Sequence, residues 1–152
     1  MPMFALRTAL SPPVLVVERV AILAMLLEDA LAEAGYRPLC TPGGIFVPGI
    51  ADGGGDLAAA VVGLSLDSGV DGRDVIRRLR LRDPTLPVAV VTSYALSDPG
   101  ADLRALGGPM LRLSKPADTD VLLAWLSDVL VPYLALGPFL QRRRSDPRLP
   151  VA

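Results

Sequence analysis

Short unbroken apolar runs alternate along this chain with longer stretches in which apolar residues recur every three or four positions. Runs of the first kind, without polar alternation, are what strands covered on both faces of a parallel sheet require. Stretches of the second kind predict helices packed along one side. The clearest unit spans residues 58–81. Ala58, Ala59, Ala60, Val61 and Val62 make a buried strand, and Asp67, Ser68, Gly69, Asp71 and Gly72 suit a tight turn. Asp71 can then cap a helix in which Val75, Ile76, Leu79 and Leu81 face inward while Arg73, Arg77, Arg78 and Arg80 face water.

The same pattern repeats on either side. Residues 14–17 read as a buried strand, and residues 20–34 as a helix too densely apolar to be exposed, stopped by Gly35. Residues 37–40 form a weaker strand, followed by a glycine- and proline-rich stretch, 41–56, where any helix should be short or distorted. Residues 86–94 are a further buried strand, and 101–106 allow a helical turn or two. Residues 110–113 form the last strand, and Thr119 or Asp118 can cap a final helix over 120–131. Five successive βα units predict an α/β fold of the flavodoxin-like kind: a five-stranded parallel sheet, order 2-1-3-4-5, with helices on both faces. The domain should cover residues 13–131, with 132–152 an apolar and then arginine-rich tail.

Composition narrows the chemistry. The chain has 152 residues, 51% hydrophobic, with 15 basic against 16 acidic side chains, which argues against a broad nucleic-acid-binding surface. Arg77, Arg78, Arg80 and Arg82 read as a solvated face, since no aromatic residue is interleaved for base stacking. Histidine is absent, which removes histidine-dependent triads, histidine metal ligands and phosphohistidine relays within the chain. One cysteine, Cys40, excludes an internal disulfide and reads as a buried structural thiol in a reducing, cytoplasmic setting. The amino-terminal residues lack the apolar core of a secretory signal. Residues 121–140 approach a membrane span in length, but Asp128, Pro132, Gly137 and Pro138 argue for a core-facing helix plus an apolar tail.

Four anchors carry a resemblance to a known family: LVVER after strand one, LSLDSGVDG after strand three, LPVAVVTSYA at strand four and LRLSKP at strand five. Together, in this order and spacing, they resemble the receiver domain of bacterial two-component response regulators, over residues 14–130. The resemblance implies a phosphoacceptor aspartate at the end of strand three, an acidic pair after strand one for Mg²⁺, a hydroxyl after strand four and a lysine after strand five. A carboxylate nucleophile, a hard cation with oxygen ligands and fixed donors for developing charge are the parts that chemistry needs.

Carried over residue by residue, Glu18 matches the first acid, Thr92 the hydroxyl, and Lys115 with Pro116 the lysine and the proline after it. The second acid is replaced by Arg19. Gly63 stands at the phosphoacceptor position, or Leu64 if the loop is aligned without an insertion, and neither can accept a phosphoryl group. Arg112 replaces the aromatic residue that reports the family's conformational switch. A charge as close as that of Arg19 opposes a divalent cation, so weak or absent metal binding and no cofactor are expected.

The reading is therefore of a stand-alone, degenerate receiver, not an enzyme, acting through protein contacts independently of phosphorylation in a bacterial signalling pathway. Two alternatives stay open: a phosphoacceptor using Asp67 with Mg²⁺, and a flavodoxin-like domain that binds a small ligand or anion near Thr92 and Lys115. Lys115 and Thr92 are expected to satisfy one another or Glu18. Trp125, Tyr133, Leu136 and Phe139 are expected to supply a homodimer or partner surface, because so apolar a tail needs cover. Neither nucleic acid nor membrane is expected as a partner.

Overall fold

The computed structural model describes residues 11–41, 57–66, 70–92, 106–115 and 118–131. Strands β1 (Pro13–Val17), β2 (Arg37–Thr41), β3 (Ala59–Gly63), β4 (Val88–Thr92) and β5 (Met110–Ser114) form one sheet in the order β2-β1-β3-β4-β5, every pair parallel. All residues of β1, β3 and β4 are buried, as their uninterrupted apolar sequences require. The two edge strands are only partly covered; β2 carries Arg37 and Pro38, which discourage pairing with another edge.

Among the described residues three helices cover the two faces: α1 (Ala21–Glu33), α2 (Gly72–Arg82) and α3 (Thr119–Val129). Side chains alternate across a strand, so each face of the sheet has its own core. Val14, Val16 and Val61 meet Leu23, Leu27 and Leu31 of α1 and Leu122 and Leu126 of α3 on one side. Leu15, Val17 and Val62 meet Val75, Ile76 and Leu79 of α2 on the other. Complete burial of a side chain such as Leu27 or Ile76 contributes about 2 kcal/mol.

Helix α2 begins where Asp71 accepts a hydrogen bond from the Arg73 backbone N–H at 2.9 Å. The Arg73 guanidinium also holds Asp71, through Nη2 at 3.0 Å, so Arg73 is half-buried and not turned wholly to water. Burial disfavours charge on Asp71, but the bonds from Arg73 and the charges of Arg73 and Arg77 outweigh it and hold the carboxyl below its usual value. A depressed folded value stabilises the fold above about pH 4, and that contribution is lost as pH falls further, through the folded value. Asp71→Ala should therefore cost about 1 kcal/mol in urea unfolding at pH 7, with the gap to wild type narrowing below about pH 4. Helix α3 is capped in the same way by Asp118, whose carboxylate accepts from the Val121 N–H at 3.1 Å.

Several expectations need correction. Arg80 does not face water: it is 9% exposed, and its guanidinium donates to the carbonyls of Leu86, Leu106, Gly107 and Pro109. Leu81, assigned to the core face, is 85% exposed. Helical geometry explains both, since residue 80 lies one turn beyond Ile76 on the buried stripe while residue 81 has rotated off it. Helix α1 is not covered all round, because Ile22, Met25 and Leu26 are exposed. Cys40 is exposed on the edge strand rather than buried, and its Sγ lies 3.8 Å from Glu28 Oε2. Partial desolvation and the Glu28 carboxylate push the thiol up to about 11, so it remains protonated at neutral pH. Among the described residues no helix is long and apolar enough to cross a membrane. The glycine-rich stretch 42–56, the 101–105 part of the short helical turn and the tail from 132 onward lie outside the described residues.

Candidate functional site

Strand order reverses between β1 and β3, and the carboxyl ends of the strands beside that reversal are where open α/β sheets of this order form their crevice. Glu18 enters it directly from the end of β1. Its backbone N–H donates to the Thr41 carbonyl at 3.2 Å, so the edge strand helps fix its position. Although only 2% of the residue is exposed, its carboxylate is not isolated. Oε1 accepts from Lys115 Nζ at 3.1 Å and from the Val20 N–H at 3.1 Å. Lys115 arrives from the far edge of the sheet, just after β5, where its backbone N–H donates to the carbonyl of Thr92 at 2.9 Å. Thr92 itself is buried at the end of β4.

At the end of β3, Gly63 and Leu64 meet different surroundings. A Cβ built on Gly63 would lie 2.7 Å from Glu18 Oε2, so position 63 points at the carboxylate. Leu64 instead packs with Leu66 and Ile76 in the core under α2. Glu18 therefore occupies the space into which a side chain on the last residue of β3 would project. Oε2 is buried there and has no hydrogen-bond partner among the described residues.

The loop after β3 folds back on itself: the Gly72 N–H donates to the Leu64 carbonyl at 2.8 Å and Ser65 bridges to Asp71. A Cβ on Gly72 would overlap the Gly63 carbonyl, so this close approach requires glycine at 72. Spacing alone marks Gly72 as a turn residue, whereas its contact with Gly63 needs the folded loop.

The other assigned residues divide in two groups. Arg19 is exposed beside the crevice and Arg112 lies within β5, opposite Val90. Trp125 is half-buried against the α1/α3 core, so part of its ring is already used inside the domain. Asp67, Pro116, Tyr133, Leu136 and Phe139 lie outside the described residues.

Comparisons with solved structures define the class of fold. The chain is similar to a response regulator receiver protein from Sinorhizobium medicae WSM419, with 23% identity and a TM-score of 0.69, covering 79% of this chain and 94% of that one. It is similar to a receiver domain protein of the CheY-like type from Methanospirillum hungatei JF-1, with 15% identity and a TM-score of 0.71, covering 84% and 98%. A third is the receiver domain of the sensor histidine kinase PA1611 from Pseudomonas aeruginosa PAO1, with 22% identity, a TM-score of 0.68 and coverage of 79% and 98%; that protein holds a magnesium ion in its active-site cleft. No protein-family model and no curated protein matches the sequence. The chain has the CheY-like flavodoxin fold shared by receiver domains, with the sheet order expected from its βα repeats.

Magnesium requires a near-octahedral shell of oxygen ligands. In this crevice the Glu18 carboxylate is already in contact with an ammonium, the next residue is Arg19, and β3 ends in a glycine. No group of three or more acidic, histidine or cysteine side chains converges among the described residues. The described residues of this crevice do not fit a divalent cation. What the arrangement does supply is an internal ion pair across the sheet, from β1 to the residue after β5.

Proposed function

We propose that this protein is a receiver-like signalling module that acts through contacts with protein partners and does not use a phosphoryl switch. One observation carries the reading: the carboxylate of Glu18, paired with Lys115, fills the space in front of Gly63. In a phosphorylated receiver the lysine after strand five would meet an oxygen of the phosphoryl group; here Lys115 meets a permanent anion from the end of the first strand. The crevice thereby mimics an occupied pocket with no group transferred to it. Its output is then a fixed surface, available to its partner whenever the chain is folded. The shared fold supports a place in a bacterial two-component pathway, and the absence of a nucleophile at position 63 supports a role other than catalysis.

Incubating the full chain with acetyl phosphate and Mg²⁺, followed by intact-mass measurement, tests this. The expected mass is unchanged, and Gly63→Asp, which restores a carboxylate to β3, serves as the comparison. A phosphoryl increment on the wild-type chain that disappears in Asp67→Asn would overturn the proposal in favour of the atypical phosphoacceptor. Stabilisation of the fold by a small anion or nucleotide in a thermal-shift screen, lost in Lys115→Met, would favour the ligand-binding reading.

A further inference from the structure

The side of α1 turned away from the sheet is apolar in the middle and charged at both ends. Ile22, Met25 and Leu26 are 78%, 61% and 47% exposed, while Leu23, Leu27 and Leu31 hold the opposite side against the core. Spacings of three and four residues place Ile22, Leu26, Asp29 and Glu33 on one stripe, and all four are exposed. Arg19 is exposed just before the helix begins.

These charges oppose the helix's own dipole. The first turn of α1 holds no acid and the last turn no base; Arg19 stands at the positive end and Glu33 at the negative end. A second α1 laid antiparallel reverses both conflicts. Arg19 of each copy then faces Glu33 and Asp29 of the other, the two dipoles run in opposite directions, and Ile22, Met25 and Leu26 cover one another around the two-fold axis. A parallel pair would instead set like charges side by side. Three contiguous large apolar side chains on one face also go beyond the scattered exposure ordinary on a protein surface.

We infer that α1 is a self-association surface and that the chain forms a two-fold symmetric homodimer by antiparallel α1 pairing. This places the pairing on α1 rather than on the Trp125 helix and the tail. It does not rest on the phosphorylation reading, which stands or falls by its own mass measurement. A single helix pair is smaller than a standard interface, so a dissociation constant on the order of micromolar is expected.

Sedimentation velocity of the full chain over a concentration series, in EDTA, tests the pairing through charge reversal. Wild type should move toward twice the monomer mass as concentration rises. Arg19→Glu alone and Glu33→Arg alone should each shift the midpoint at least tenfold toward monomer, because each sets like charges together twice across the axis. An equimolar mixture of the two variants should recover the dimer, since both cross-axis contacts are then between opposite charges. Leu26→Asp should remain monomeric in every combination. All three sites are exposed, and circular dichroism confirms that each variant is folded. A wild type that stays monomeric throughout overturns the inference, as does a dimer indifferent to either reversal or a mixture that fails to recover.

Discussion

Lys115→Met should destabilise the fold by about 3 kcal/mol, at the lower end of the range for breaking a buried ion pair because the lysine is partly exposed. The physical reason lies with its partner. Glu18 is 2% exposed and its Oε2 has no bond among the described residues, so removing the ammonium leaves one backbone N–H, that of Val20, as the donor to the carboxylate. An uncompensated buried charge costs more than the ion pair itself contributes. Glu18→Gln combined with Lys115→Met should accordingly be more stable than Lys115→Met alone. A double-mutant cycle by urea unfolding measures the difference, and a coupling of about 1 kcal/mol or more is expected between directly contacting residues. Simple additivity of the two substitutions would mean that the pair contributes nothing as a unit, and the internal anion would lose its energetic basis.

The second large effect is expected far from the crevice. Arg80→Met should cost about 3 kcal/mol, because several carbonyls lose a charged donor at once. Nη1 donates to Leu106 at 2.8 Å and also to Gly107, while Nη2 donates to Pro109 at 2.7 Å and to Leu86 at 3.4 Å. These bonds tie the end of α2 to the segments that lead into β4 and β5. Burial lowers the Arg80 value, yet a guanidinium remains charged at neutral pH. Because the partners are carbonyls and not carboxylates, the effect should barely change between low and high salt, unlike that of a surface ion pair. Amide hydrogen exchange should rise most at residues 106–108. Arg80→Lys should recover only part of the loss, because an ammonium is a point donor and cannot span the fork. Gly108 is part of the same arrangement: its φ of +69° and a Cβ that would lie 2.8 Å from the Arg80 Cζ both favour glycine there.

Much of this architecture was legible in the order of residues. Buried parallel strands have no polar side to alternate with, so β1, β3 and β4 could be recognised from unbroken runs of valine and alanine. The cap Asp71, and Asp118 as one of two candidates with Thr119, were legible because the requirement they meet is local: a side-chain acceptor within reach of the first free N–H groups. Arg80 could have been assigned to the buried stripe by its position four residues after Ile76, but a charged side chain there signals burial only when a nest of carbonyls awaits it. Those carbonyls come from residues 86 and 106–109, distant in sequence, and no local pattern announces them. Cys40 illustrates the opposite case, since a lone cysteine read as a buried structural thiol whereas an edge position left the residue exposed.

The sequence by itself determined the sheet, because the burial of the three central strands and the main core positions of each helix follow from local hydrophobic spacing, and it determined that β3 ends without an acidic side chain. Only the tertiary structure decided what occupies that place. Glu18 and Lys115 are 97 residues apart along the chain, and their 3.1 Å contact exists because the sheet order brings the ends of β1 and β5 to the same rim. The choice of Gly63 over Leu64 as the residue facing Glu18 was equally tertiary: a strand presents alternate residues to opposite faces, and only the register with β1 fixes which of the two looks into the crevice.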